Sequence, residues 1–417
     1  MIDDLGFYKV GNEKFYDKLP AILRAQQLKV DMEWNFNRYA FSLIDWTSEP
    51  ETSLDEFYKI RAHQLREEYD YLILFCSGGA DSTNMLYAFL NNGIHVDELV
   101  ASAPISGLRD WKNPHPADIK VENTIAETFL TQIPFLRMIE QNYPNIKVTL
   151  HDYFEDMLNY KVDDWLLKSG DHIHPTMAGR YNLEKYVRLQ RLAESGKRVC
   201  VIQGIDKPII CRYQDHLYQV FFDWLYNNKY NSLNHPNCVV EFFYHTPKLP
   251  LLAVKQAHVA AKFISEPKNK NIYNMMLLND ERLIGKAPKP DLKTFNTHTY
   301  QRGIVPAIYP SIRTDMYQAE KPDRMWMGKH DAWFYDLHKN TRVNQMIMWD
   351  LDNLFKSLEK KFLQYCPVRG LMGLKAYRNA YCIGRADKFV SKEIVLNDEL
   401  IIEAPDIIFN DGVLSTI

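Results

Sequence analysis

The sequence predicts an α/β fold centred on a parallel sheet, from three observations. Tyr71-Leu72-Ile73-Leu74-Phe75-Cys76 is a continuous apolar run, the pattern of a strand buried on both faces. Ser77-Gly78-Gly79-Ala80-Asp81-Ser82 follows at once, and Met85, Leu86, Phe89 and Leu90 then recur at helical spacing. Further apolar runs alternate with helical segments to about residue 205, and strands alternating with helices imply parallel pairing through crossovers.

In chain order, residues 1–69 read as a helical lead-in with helices over 19–28 and 53–69. Ser53 with Glu56 supplies a capping box for the second. After the strand at 71–76 and its glycine-rich turn, Gly93 stops the first helix of the sheet region. Strands follow over 96–101, 146–150 and 198–203. Between them lie helices over 123–142, perturbed by Pro134, and over 178–194, with Tyr186, Leu189 and Leu192 on one side. Residues 209–213 and 216–222, joined by Gln214-Asp215, read as a hairpin. A strand over 239–244 and a helix over 252–264 come next.

A looser, proline-containing stretch covers 266–310. An amphipathic helix over 346–365 carries Leu351, Leu354, Phe355, Leu358 and Phe362 on one face. The last fifty residues read as short strands and turns, such as Asn410-Asp411-Gly412. The chain thus divides into an N-terminal extension (1–69), a central domain (70–265) and a mixed C-terminal extension (266–417).

Composition narrows the function classes. A net charge of −3 on 417 residues gives no global attraction to nucleic acid or an anionic membrane. The six cysteines, Cys76, Cys200, Cys211, Cys238, Cys366 and Cys382, form no CxxC pair, which argues against a zinc ribbon or dithiol motif and fits a reducing cytoplasm. Met1-Ile2-Asp3-Asp4 does not open a signal peptide, and no run of ~18 apolar residues reads as a membrane span.

The chemistry is carried by the glycine-rich turn. Glycines let backbone approach a ligand closely, and the first N–H groups of the following helix point outward as anion donors. Ser77, Ser82 and Thr83 add hydroxyls. Asp81 is an acceptor among donors, as a residue helping to hold magnesium would be. Neither GxxxxGK[ST] nor GxGxxG is present at the turn.

SGGADS resembles the SGGxDS signature of the PP-loop ATP-pyrophosphatase superfamily, whose domain is of the adenine nucleotide alpha hydrolase-like kind. That superfamily includes the synthetase parts of asparagine, GMP and NAD synthetases, the deazaguanine nitrile synthases and the tRNA thiolation and lysidine enzymes. The resemblance covers roughly residues 70–225. It implies that Ser77, Gly78, Gly79, Asp81 and Ser82, with Thr83 beside them, hold the pyrophosphate end of ATP, and that Ala101 and Ser102 lie beside the adenosine. It also implies that Asp206 faces the loop and joins Asp81 at a Mg2+ ion. Lys207 could reach a phosphate, or be a solvated turn lysine. ATP and Mg2+ are the implied cofactors.

Departures sort the members. No zinc-binding cysteine cluster of the deazaguanine nitrile synthases is present, and no N-terminal cysteine nucleophile domain of the glutamine-dependent asparagine synthetases. Argininosuccinate synthetases have a threonine in the loop and a different downstream region. Cys76 ends a buried strand, which reads as core and disfavours sulfur transfer. The nearest general likeness is to asparagine-synthetase-like and deazaguanine-synthase-like PP-loop proteins, some of them encoded by phages.

Other candidates are weaker. Asp171-His172-Ile173-His174-Pro175 falls where a carboxyl-edge loop of the sheet is expected. There His174 reads as a loop hydrogen-bonding group or a substrate contact, with no third metal ligand at sensible spacing. Arg180 could clamp a carboxylate or phosphate, or lie on a helix surface. Arg212 and Asp223 border the hairpin as substrate contacts, and His258 reads as a core histidine. Residues 286–342 hold ten Lys and Arg against six Asp and Glu, with aromatics interspersed, which suits either a solvated surface or a nucleotide partner.

The expected function is AMP- and pyrophosphate-forming activation of a carboxylate or amide-type oxygen, followed by transfer to a nitrogen nucleophile. A small-molecule substrate is expected, with no membrane partner, and a homo-oligomer is compatible. Two other readings stay open: modification of a base in DNA or RNA, and a non-catalytic nucleotide-binding module.

Overall fold

The computed structural model describes residues 2–103, 105, 132–152, 187–205, 207–213, 215–223, 236–274, 276, 303–312, 353–363, 378–390, 393–394, 407–410 and 413–416. Its centre is a five-stranded, wholly parallel sheet flanked by helices. The strands are β4 (Tyr71–Phe75), β5 (Glu98–Ala103), β6 (Lys147–Asp152), β7 (Val199–Gln203) and β10 (Cys238–Phe242). Their spatial order is β10-β7-β4-β5-β6. β4 is central and its interior residues Leu72, Ile73 and Leu74 are fully buried, which is why it reads as an unbroken apolar run.

From β4 the chain steps outward through β5 and β6, then crosses back to build β7 and β10 on the other side. The direction of winding therefore reverses between β4 and β7. In open α/β sheets the crevice beyond the carboxyl ends at such a reversal is where ligands bind. Phe75 pairs with Gln203, so β4 and β7 end level with one another.

The helices fall largely where sequence spacing puts them. α3 (Leu54–Glu68) is capped by Ser53, whose Oγ accepts from the Glu56 N–H at 3.2 Å. α4 (Ala80–Leu90) follows the glycine-rich turn and stops before Gly93, which has φ +65°. α5 (Ile133–Asn142) carries Pro134 in its first turn, where proline is tolerated, and residues 123–131 of the helix expected there lie outside the described residues. α6 (Val187–Glu194) and α7 (Pro250–Ile264) complete the surround.

A second sheet, antiparallel throughout, has the order β12-β13-β11-β9-β8. β8 (Ile209–Tyr213) and β9 (His216–Phe222) form the expected hairpin. β11 (Arg378–Arg385) pairs along β9, and β12 (Ile407–Asn410) and β13 (Val413–Thr416) pair with Asn410 opposite Val413. Chain from beyond residue 266 thus completes a sheet begun by the hairpin.

Two elements differ from expectation. Residues 7–35 are not purely helical. β1 (Phe7–Val10), β2 (Glu13–Phe15) and β3 (Met32–Asn35) form a three-stranded antiparallel sheet around α1 (Lys18–Leu28). Strands of three or four residues are too short for an alternating pattern to register. The helix expected over 346–365 is interrupted, with residues 353–357 and 360–363 helical and Leu358-Glu359 not. At the interruption Gln26 accepts from the Glu359 N–H at 2.7 Å and donates to the Ser357 carbonyl at 3.2 Å, diverting backbone groups from the helix ladder. Leu354, Leu358 and Phe362 still face the core, as their spacing requires.

Candidate functional site

The crevice at the winding reversal is built by three adjacent carboxyl ends. From β4 comes Ser77-Gly78-Gly79, which opens α4. Gly78 adopts φ +74°, a left-handed conformation that favours glycine. Gly79 is the N-cap and has no side chain to cap with, so the leading N–H groups of α4 carry no side-chain cap, as an anion site requires. Ser77 is exposed at the mouth, where its Oγ accepts from the Gly79 N–H at 3.2 Å and lies 3.5 Å from Ser82 Oγ. Ser82 donates to the Gly79 carbonyl at 3.1 Å.

From β7 comes Gly204, packed directly on the start of α4. A Cβ at Gly204 would stand 3.2 Å from both the Asp81 carbonyl oxygen and Ser82 Cα. This contact brings Lys207 over the loop, and its Nζ reaches Asp81 Oδ2 at 2.5 Å. Both side chains are partly exposed, at 13% and 20%.

From β10 comes Tyr244, just past the strand end, which donates to the Asp81 main-chain carbonyl at 2.6 Å and accepts from Asn84 Nδ2 at 3.1 Å. A fourth contribution comes from the C-terminal third. Tyr309, at the end of the short helix α8 (Val305–Ile308), donates its hydroxyl to Asp81 Oδ1. Burial pushes the hydroxyls of Tyr309 and Tyr244 well above the ordinary tyrosine range, helped by the Asp81 charge at Tyr309 and by Tyr58 and then Asp81 at Tyr244, so both are protonated donors at neutral pH.

Of the residues singled out in the sequence, Ser77, Gly78, Gly79, Asp81, Ser82 and Lys207 come together here. Thr83 lies on the buried side of α4, and its Oγ1 has no hydrogen-bond partner among the described residues. Ala101 and Ser102 sit near the carboxyl end of β5, level with Leu150 and His151 of β6. Arg212 is buried in β8, opposite Leu217 in the antiparallel sheet. Asp206, His174 and Arg180 lie outside the described residues. Asp223 is fully buried, bonded to Lys18 at 2.5 Å and Tyr8 at 3.0 Å. His258 is a core histidine bonded to the Trp46 carbonyl at 2.8 Å. Burial pushes the Cys76 thiol up, leaving it protonated and a poor nucleophile.

No protein-family model, no curated protein and no solved structure matches the chain. The geometry is therefore the ground for a functional reading. It suits a phosphate chain, with uncapped helix amides, an exposed hydroxyl and a lysine around a glycine turn. Among the described residues no group of three or more His, Cys, Asp or Glu is placed to hold a metal. Magnesium is usually held by one or two carboxylates together with substrate phosphates, and Asp81 could serve as one of these. Among the described residues no helix is long and apolar enough to cross a membrane.

Sequence reasoning missed Tyr244 and Tyr309. Tyr244 had a faint signal, being next to a strand end on the ligand edge. Tyr309 had none, because 228 positions separate it from Asp81.

Proposed function

We propose that the chain is an ATP pyrophosphatase of the PP-loop kind, which cleaves ATP to AMP and pyrophosphate to activate a second substrate. The observation that carries this reading is the position of SGGADS. It joins the central parallel strand to a helix at the winding reversal, with Lys207 of the neighbouring strand end meeting its aspartate.

In this reading the pyrophosphate end of ATP lies on the amides that open α4, with Ser77 and Ser82 donating to its oxygens. A carboxylate or amide-type oxygen of the acceptor attacks the α-phosphorus, the bond to the bridging oxygen breaks, and pyrophosphate leaves. Lys207 and the helix amides stabilise the negative charge gathering on that leaving group. Magnesium, when bound, adds charge neutralisation across the phosphates. A nitrogen nucleophile then attacks the adenylated carbon and AMP departs. Most of the acceleration comes from positioning and preorganised charge. Ala101 and Ser102 border the adenosine, while Asp206, His174, Arg180 and Arg212 remain candidates for metal or acceptor contacts.

The test is product analysis after incubation with α-labelled ATP and magnesium, with pools of amino acids, nucleosides and DNA added in turn. The reading expects AMP and pyrophosphate, stimulated by one pool and lost in Asp81→Ala. Stimulation by DNA or RNA would make the acceptor a nucleobase. ATP binding with no turnover from any pool would replace the enzyme with a nucleotide-binding module.

A further inference from the structure

Asp81 presents a difficulty that its surroundings resolve. It lies in the first turn of α4, where a carboxylate is favoured by the helix dipole, yet an incoming phosphate must approach the same helix end. Two anions there repel unless one is neutralised. The protein as it stands covers both carboxylate oxygens, Oδ2 by Lys207 and Oδ1 by Tyr309. If Lys207 turns to a phosphate, Asp81 loses its cation. Tyr309 is then what keeps the carboxylate partnered and in place.

Tyr309 is held firmly for this task. It is fully buried, its ring lies 5.4 Å from that of Tyr244 and 6.4 Å from that of Tyr58, and its own N–H donates to Val305 at 3.0 Å. Tyr58 donates to the Ile308 carbonyl at 2.5 Å and accepts from Gln256 at 3.0 Å, which ties the turn before Tyr309 to α3 and α7. The same cluster grips the Asp81 main chain through Tyr244.

Resting on the ATP-pyrophosphatase reading, we propose that Tyr309, supplied by the C-terminal third, is a positioning residue of the phosphate site. It holds the Asp81 carboxylate while Lys207 exchanges Asp81 for the phosphate. The C-terminal third is then an integral part of the site.

A double-mutant cycle on the full chain tests this, with binding of inorganic pyrophosphate and magnesium measured by calorimetry. Tyr309→Phe keeps the tilted ring contacts with Tyr244 and Tyr58 and removes the hydroxyl. It should weaken pyrophosphate binding by about 10–150-fold, the range expected for one hydrogen bond to a charged group. In an Asp81→Ala background, which has no carboxylate to hold, the same change should alter binding by less than about 2-fold. Loss of equal size in both backgrounds would mean a merely structural role, and no loss in the wild-type background would remove the role altogether. A measurement without any variant guards against a misfolded one: amide hydrogens of residues 303–312 in the wild type should exchange more slowly once pyrophosphate binds, and unchanged exchange overturns the inference. A wild-type chain that binds neither ATP nor pyrophosphate sinks the ATP-pyrophosphatase reading itself, which separates the two failures.

Discussion

Gly204 shows how one residue fixes the relation between two strand ends. Its missing side chain lets the end of β7 rest on the first turn of α4, and the atoms a Cβ would meet are backbone, which cannot rotate aside. Gly204→Ala should therefore destabilise the chain by about 1–3 kcal/mol, as overpacking does. It should also weaken pyrophosphate binding, because Lys207 moves with the strand end. Thermal unfolding and calorimetry would check both, and a variant that melts and binds like wild type would show that the contact is slack. The packing partner of Gly204 was not legible in the sequence, since Asp81 lies more than a hundred positions away.

At the scale of elements, α3 is fastened to β10 by a buried charge network. Arg61 is fully buried and reaches Glu241 Oε2 at 2.5 Å. Lys248 and Tyr69 also bond Glu241, and Lys248 reaches Glu68 at 2.6 Å. Burial alone would push the Glu241 carboxyl up, but the Arg61 charge and then Lys248 outweigh it and hold it at about 2. A carboxyl with a depressed folded value stabilises fully above its unfolded value, here near 4.5, and loses that contribution as pH falls toward about 2. Glu241→Gln, which leaves Arg61 buried without its counter-charge, should cost about 3–5 kcal/mol at pH 7. The stability gap to wild type should narrow as pH drops from about 4.5 to 3 in denaturant titrations. A gap that stays constant over that range would show that Glu241 is not held down.

The elements also show which signals a sequence carries. β4, the turn and α4 were legible because a doubly buried strand is apolar throughout and glycine marks the turn. The β8–β9 hairpin was legible because two short apolar runs flank a polar pair. The N-terminal sheet was not, because β1 and β3 pair across α1 and neither is long enough to show its period. The pairing of β11 with β9 was not either, since it joins segments more than 150 residues apart and follows from no local pattern.

On the scale of the whole molecule, the beginning, middle and end of the chain share one core. Tyr381 of β11 stacks on Trp46, ring centroids 4.9 Å apart, and contacts Phe41 and Phe221. Lys18 of α1 pairs with Asp223 after β9, both fully buried. Tyr381→Ala should therefore cost about 3–5 kcal/mol, as loss of a large buried aromatic does. It should lower the melting of the entire chain in one transition. Two transitions, with only one displaced by the variant, would mean that the C-terminal third folds apart from the sheet it completes.

The loop after β4 is proposed to handle the pyrophosphate end of ATP during adenylation. Exchange of labelled pyrophosphate into ATP measures that step most directly, since reversible adenylation returns the label to the nucleotide. With magnesium and the stimulating acceptor pool, the wild type should incorporate label into ATP, and Asp81→Ala should incorporate essentially none. No exchange under conditions where ATP is bound, or release of ADP in place of AMP, would contradict the account.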